Sequence, residues 1–197
     1  MAIRATASSA PARARTAGRG FRPKAAAPAK AKAVAAAGAV AATPEAKAIA
    51  AIEKAGGSVR PLAQSDDRQD VSFYLQGAAI KDEQVAPVAA LTKVYAVHLG
   101  KTGITDAGLA HLRGLADLTQ LHLEGTAITD KGLAYLKALK KLEYLNIYGT
   151  AVTDAGLAQL KGLTALKSLY VWQTKVTEAG LADLKQAIPG VNIVKGW

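Results

Sequence analysis

The chain has 197 residues, a formal net charge of +10 and no cysteine, which leaves room for one modest domain plus a tail and excludes disulfides and thiolate metal sites. The charge is uneven: residues 1–42 hold eight Lys/Arg and no acid, whereas the remaining 155 residues hold 17 basic and 15 acidic groups. A body this close to neutral lacks the electrostatic footprint of a nucleic-acid binder, and no run approaches the roughly 18 apolar residues that a membrane span needs.

The first 42 residues are nearly half Ala, with no Leu and scarcely a large apolar side chain, so they cannot bury enough surface to fold. Arg, Ser and Thr without acids make up the composition of an organelle-targeting leader. The segment resembles a plastid transit peptide, with a processing region expected near Val40-Ala41-Ala42. That resemblance implies the chloroplast stroma. A mitochondrial presequence is the nearest rival, a thylakoid-lumen signal would need a stronger hydrophobic stretch, and a basic tail that is retained is the plain alternative. Residues 43–70 follow as a cap helix and linker. Thr43 suits the N-cap and Pro44 the first turn, Ile49 and Ile52 share the inner face, and Gly56-Gly57 ends the helix. A short strand is expected near Val59.

From residue 71 to 194 the chain repeats itself every 24 residues. LNIYGTAVTDAGLAQL (145–160) has counterparts at VHLGKTGITDAGLAHL, LHLEGTAITDKGLAYL and LYVWQTKVTEAGLADL. Thr102, Thr126, Thr150 and Thr174 are equivalent, as are Gly108, Gly132, Gly156 and Gly180. The pattern LxxLxLxxTx[IV]T[DE]xGLAxL resembles the leucine-rich repeat, in the 24-residue TDxGLxxL variety. The resemblance implies an α/β solenoid, a short horseshoe with a parallel concave sheet and convex helices. It also implies a non-enzymatic module that binds protein. A degenerate unit is expected before the four clear ones, with Phe73, Leu75, Ile80, Asp82, Val85 and Val88 standing 24 residues before Val97, Leu99, Ile104, Asp106, Leu109 and Leu112. Another is expected after them, with Ile188, Val191 and Val194 matching Leu163, Leu166 and Leu169 past one inserted residue near Pro189. Residues 195–197 form a tail. Atypical end units are what a solenoid needs to cover its ends.

Within a unit, alternation sends Leu145 and Ile147 inward and Asn146 outward. The Thr150 hydroxyl is placed to bond loop backbone. Thr105, Thr129, Thr153 and Thr177 are the expected helix N-caps, because the following acid becomes Glu178 in the fourth copy, and Glu suits a first turn rather than a cap. The recurring glycine points to close approach of a neighbouring coil. Ala110, Ala134, Ala158 and Ala182 are expected to fill space between helices. Each residue of the phrase thus has a structural task, which argues against reading its Thr and Asp as a catalytic set.

The outward strand residues compose the candidate site. One column is Tyr74, His98, His122, Asn146 and Tyr170, and the next is Gln76, Gly100, Glu124, Tyr148 and Trp172. A third is Ser72, Ala96, Gln120, Tyr144 and Ser168. Aromatics that the core does not need mark a contact surface. The leading patch is Tyr144, Tyr148, Tyr170 and Trp172, with specificity expected from Gln120, Glu124, Asn146, His98 and His122. The plain alternative is that these rings pack on one another or against the segment carrying Trp197. No cofactor is expected, and the chain is expected to be monomeric. Two other readings are a metal or small-ligand site at His98/His122/Glu124 and a self-associating scaffold. Phosphate-binding loops, nucleophile elbows and zinc-protease motifs are missing from the sequence.

Overall fold

The computed structural model describes residues 43–64 and 66–196. The leader and Trp197, with the expectations placed on them, lie outside the described residues. Helix α1 (Pro44–Lys54) begins as its sequence demands. Thr43 Oγ1 accepts the Ala46 N–H at 3.1 Å, and Pro44 takes the first turn, where its missing N–H leaves nothing unpaired. Ala48 and Ile52 are buried and Ile49 packs at the core's edge. Gly56, at φ 85°, ends the helix.

The segment read as a linker carries a hairpin. Strand β1 (Ser58–Ala63) runs antiparallel to β2 (Asp66–Ser72). A two-residue connection permits no other sense, so the sheet is parallel only from β2 onward. It continues through β3 (Val94–His98), β4 (Gln120–His122), β5 (Tyr144–Asn146), β6 (Ser168–Tyr170) and β7 (Asn192–Val194), in chain order. From β3 to β7 the register advances by 24 at every step: Ala96, Gln120, Tyr144, Ser168 and Asn192 stand in line. The return path of each coil carries a short helix: α2 (Asp82–Val85), α3 (Asp106–Ala110), α4 (Asp130–Leu133), α5 (Asp154–Leu160) and α6 (Glu178–Ala187). The inward Leu, Ile and Val of strand, turn and helix form one continuous core.

Both end units depart from the 24-residue alignment. Val71, not Phe73, pairs with Val97, and Phe73 is fully buried after the strand, as Leu99 is in the next coil. Two extra residues in the 3-10 turn Tyr74–Ala79 absorb the difference. Leu75 therefore stands 89% exposed instead of entering the core. At the far end, Ile188 and Val191 are buried as the one-residue insertion requires. Ile193, not Val194, then pairs with Leu169, because the strand regains its register. The alanines are also not where the sequence places them: Ala134, Ala158 and Ala182 are exposed and Ala110 is half-buried. They lie two residues beyond the buried glycines, about 200° around the helix and so on its outer side.

The repeated phrase builds a ladder between coils. Thr105, Thr129, Thr153 and Thr177 are the helix N-caps. Each also donates its N–H and its hydroxyl to the aspartate one coil back. Thr129 reaches Asp106 at 2.7 and 2.6 Å and Thr153 reaches Asp130 at 2.7 and 2.6 Å, and the pairs Thr105–Asp82 and Thr177–Asp154 repeat this geometry. The glycine makes room for it: a Cβ at Gly108 would stand 2.6 Å from Asp82 Oδ1, and the same carboxylate clash recurs at Gly132, Gly156 and Gly180. Glu178, the last of the series, bridges to no Thr and instead pairs with Lys195. The first Thr of each phrase is occupied too. Thr102, Thr126, Thr150 and Thr174 donate to the carbonyls of Leu99, Leu123, Ile147 and Val171 at 2.6–2.7 Å.

Candidate functional site

Alternation leaves one face of the sheet free of helices, and the strand register sets its columns. His98, His122, Asn146 and Tyr170 stand in line on β3 to β6. Tyr74 does not join them. Ser72 pairs with His98 instead, and Tyr74 sits half-exposed in the inserted 3-10 turn, with the Lys101 ammonium 5.9 Å from its ring centre. Asp70 likewise pairs with Ala96, the place the sequence gives to Ser72.

Rings fill the strand columns as a continuous stack. His98 lies on His122 with centroids 4.4 Å apart, His122 on Tyr144 at 4.7 Å and Tyr144 on Tyr170 at 5.3 Å. One strand spacing is about 4.8 Å, so neighbouring rungs bring rings to contact distance; the histidine pair is stacked and the next two contacts are tilted by 31° and 42°, and ring contacts of these kinds stabilise by about 0.5–1.5 kcal/mol per pair. Beyond the strands, Tyr148 stacks on Trp172 at 5.1 Å and 28°. The indole lies against the chain at Gly196, where a Cβ would collide with its ring. Trp172 nevertheless remains 43% exposed. Packing of the rings on one another is therefore real, and what it leaves open to solvent is their outer edges, those of Trp172 most of all.

The polar groups are spread along this face. His98 Nε2 lies 3.2 Å from Asp70 Oδ1 and His122 Nδ1 lies 3.8 Å from Glu124 Oε2. Gln120 donates to the Tyr95 hydroxyl at 3.2 Å, and Asn146 Oδ1 accepts the Tyr148 N–H at 3.1 Å. Burial, with the adjacent His98 ring adding to it, lowers the His122 imidazole to about 4, so it is neutral near pH 7. Burial also raises the Tyr144 phenol, helped by Tyr170 and Glu124. The two histidines lie nearest different carboxylates, and their stacking sets the rings face to face instead of turning both toward a shared centre. No group of three or more His, Asp or Glu among the described residues is placed to hold a metal ion. Beside His98 the face opens into a hollow of about 360 Å³ lined by Arg60, Asp70, Ser72, Tyr74 and Leu75. Asp70 and Arg60 are functional candidates that the sequence did not reveal: the two inserted residues displace Asp70 from the 24-residue count, and Arg60 lies on the antiparallel strand β1, outside the repeat.

Residues 115–137 match the sequence family described as "Leucine Rich repeat". That match joins the 24-residue strand register and the coil-to-coil Thr–Asp ladder. The fold is a leucine-rich-repeat solenoid. Among solved structures, similarity is found to an internalin (inlF) of Listeria monocytogenes, with 23% identity over 57% of this chain and 37% of that one, at a TM-score of 0.41. Internalin C2 of the same organism shares 25% identity over 56% of each chain, at 0.44. The leucine-rich-repeat ectodomain of the receptor kinase SOBIR1 from Arabidopsis thaliana shares 12% over 77% of this chain and 91% of that one, at 0.49. The chain thus spans about a third to a half of the length of the two internalins. No curated protein matches it. Among the described residues no helix is long and apolar enough to cross a membrane.

Proposed function

We propose that this chain is a non-enzymatic protein-interaction module that binds a protein partner on the open face of its sheet, within an organelle to which residues 1–42 direct it. The observation that carries the binding face is the half-exposed Tyr148–Trp172 pair beside the run of ring contacts from His98 through His122 and Tyr144 to Tyr170. The core uses none of these rings, and Tyr and Trp are over-represented among the residues that carry binding energy. Six parallel-paired strands also offer area on the scale of the roughly 800 Å² per partner that a standard interface buries. The Thr and Asp of the repeated phrase support a scaffold role, since the capping Thr and the Asp are committed to hydrogen bonds between coils and the other Thr to a carbonyl of its own coil.

The test is affinity capture from plastid extract with the protein and with Tyr170→Ala/Trp172→Ala, after circular dichroism shows both folded. A partner retained by the first and lost by the second supports the reading. Equal retention moves the site off this face. The targeting half is tested by fusing residues 1–42 to a fluorescent protein: plastid import supports it, and a cytosolic signal removes the organelle from the proposal.

A further inference from the structure

Asp70 and Glu124 each hold one screened carboxylate oxygen on this face without a hydrogen-bond donor, and of the two Glu124 stands farther from its histidine, 3.8 Å against 3.2 Å. Its side chain is 17% exposed, and Oε2 is screened from solvent without a hydrogen-bond donor. It lies in the gap that Gly100 leaves, where a Cβ would collide with the carboxylate. The nearby imidazole of His122 is at 3.8 Å, beyond hydrogen-bond reach, and is neutral near pH 7. The adjacent cation, Lys101, extends toward the Tyr74 ring instead. A carboxylate oxygen held from water without a donor is unfavourable, and it gains most from a donor brought from outside.

The surroundings narrow what that donor can be. Gly125 N–H donates to Tyr148 O at 2.7 Å, so the coils bearing Glu124 and Tyr148 are directly adjacent. One strand spacing further lies Trp172, stacked on Tyr148 and partly open to solvent. A carboxylate thus sits at the end of an aromatic row whose outer edges are open. An ammonium could supply charge to the first feature but would use little of the second. A guanidinium supplies a two-pronged donor to the carboxylate and a planar, weakly hydrated body that packs along the open ring edges. We infer that the Glu124–Tyr148–Trp172 column is an arginine-recognition subsite, taking one arginine side chain from an extended segment of the protein partner. This inference rests on the open face being the binding face.

The test uses the full chain and defined probes: N-acetyl-arginine-N-methylamide, its lysine counterpart, and the citrulline counterpart, which keeps the shape and lacks the charge. Binding is read from the Trp172 indole N–H resonance, assigned with Trp172→Phe. The expected dissociation constant for the arginine probe is about 1–10 mM, with the lysine probe at least about fivefold weaker and the citrulline probe silent. Glu124→Gln, which preserves shape and packing, should abolish the response, and an unchanged amide spectrum elsewhere shows that it folds. Equal responses from arginine and citrulline, an unaffected Glu124→Gln, or silence from all three probes would each overturn the assignment. In those cases a partner still captured through Tyr170 and Trp172 leaves the open-face reading standing, whereas loss of that capture dependence removes the face itself.

Discussion

Substituting Gly108 by Ala separates two opposed expectations. Gly108 lies inside α3, and helix propensity alone makes Ala better there by about 1 kcal/mol. The structure predicts the reverse. The new Cβ would stand 2.6 Å from Asp82 Oδ1, while its next contact, Ile104 Cβ at 3.3 Å, needs only a small adjustment. Asp82 must therefore move, and it cannot do so without leaving Thr105, whose N–H and hydroxyl it accepts at 2.7 Å each. Two hydrogen bonds at about 1 kcal/mol apiece outweigh the propensity gain, so Gly108→Ala should destabilise by about 1 kcal/mol. In a domain of this size that lowers Tm by about 2–4 °C. In an Asp82→Ala background the obstacle is gone, and the same substitution should stabilise by up to about 1 kcal/mol. Urea unfolding of the four proteins gives the cycle, with an expected coupling of about 2 kcal/mol. A Gly108→Ala protein more stable than the parent, or a coupling near zero, would refute the ladder as the reason for the glycine.

Other consequences are equally direct. Thr126→Val removes the 2.6 Å bond to the Leu123 carbonyl at a buried position and should cost about 1 kcal/mol in urea unfolding; no change would mean the hydroxyl is dispensable. The turn position shared by Lys101, Gly125, Gly149 and Gln173 has φ between 54° and 67° in all four coils. Gln173→Gly should accordingly stabilise by about 0.5–1 kcal/mol, and a lower midpoint contradicts this. His122 is neutral in the fold down to about pH 4, whereas in an unfolded chain it takes a proton near 6.5. The unfolded state therefore binds more protons between those values, and stability falls as pH drops through that window. The full difference corresponds to about 3 kcal/mol, which solvent screening at a partly exposed ring reduces to on the order of 1–2 kcal/mol. His122→Asn should flatten the fall between pH 7 and 4; an equally steep fall in the variant contradicts the assignment. Asp154 acts lower still. Thr177, through its hydroxyl and then its N–H, holds that carboxyl below its usual value, so its contribution is present above the ordinary aspartate range and is lost as pH falls through its depressed value. Asp154→Asn should remove that share of the acid loss, leaving the shares of Glu45, Asp66 and Asp117, which are lowered too; an acid limb identical to the parent's contradicts this.

What the sequence disclosed and what it concealed follow from one cause. A fixed period discloses every feature that recurs with it. The Thr caps, the inward Leu and Ile, and the columns from His98 to Tyr170 stand where the 24-residue count puts them. Features that break the period were hidden. The two extra residues before Ile80 carry Tyr74 and Leu75 out of the pattern and put Ser72 and Asp70 beside His98 and Ala96. The glycine's neighbour was also hidden, for a different reason. Spacing shows that some close approach recurs, but only the coil-to-coil geometry shows that an aspartate 26 residues earlier makes it. At the site, residue types made the aromatic face legible. The unpaired Glu124 oxygen was not, since pairing is a matter of rotamers and neighbours rather than of period.

The central claim, that the partner lies on the open face of the sheet, is tested most directly by hydroxyl-radical footprinting of the captured complex. The chain carries its own control. Trp172 is 43% exposed on the open face and Tyr135 is 38% exposed on the return path of its coil, past α4. The account predicts that the partner shields Trp172, with Tyr148 and Tyr170, and leaves oxidation of Tyr135 unchanged. Shielding of Tyr135 with Trp172 still oxidised at the free protein's rate would contradict it.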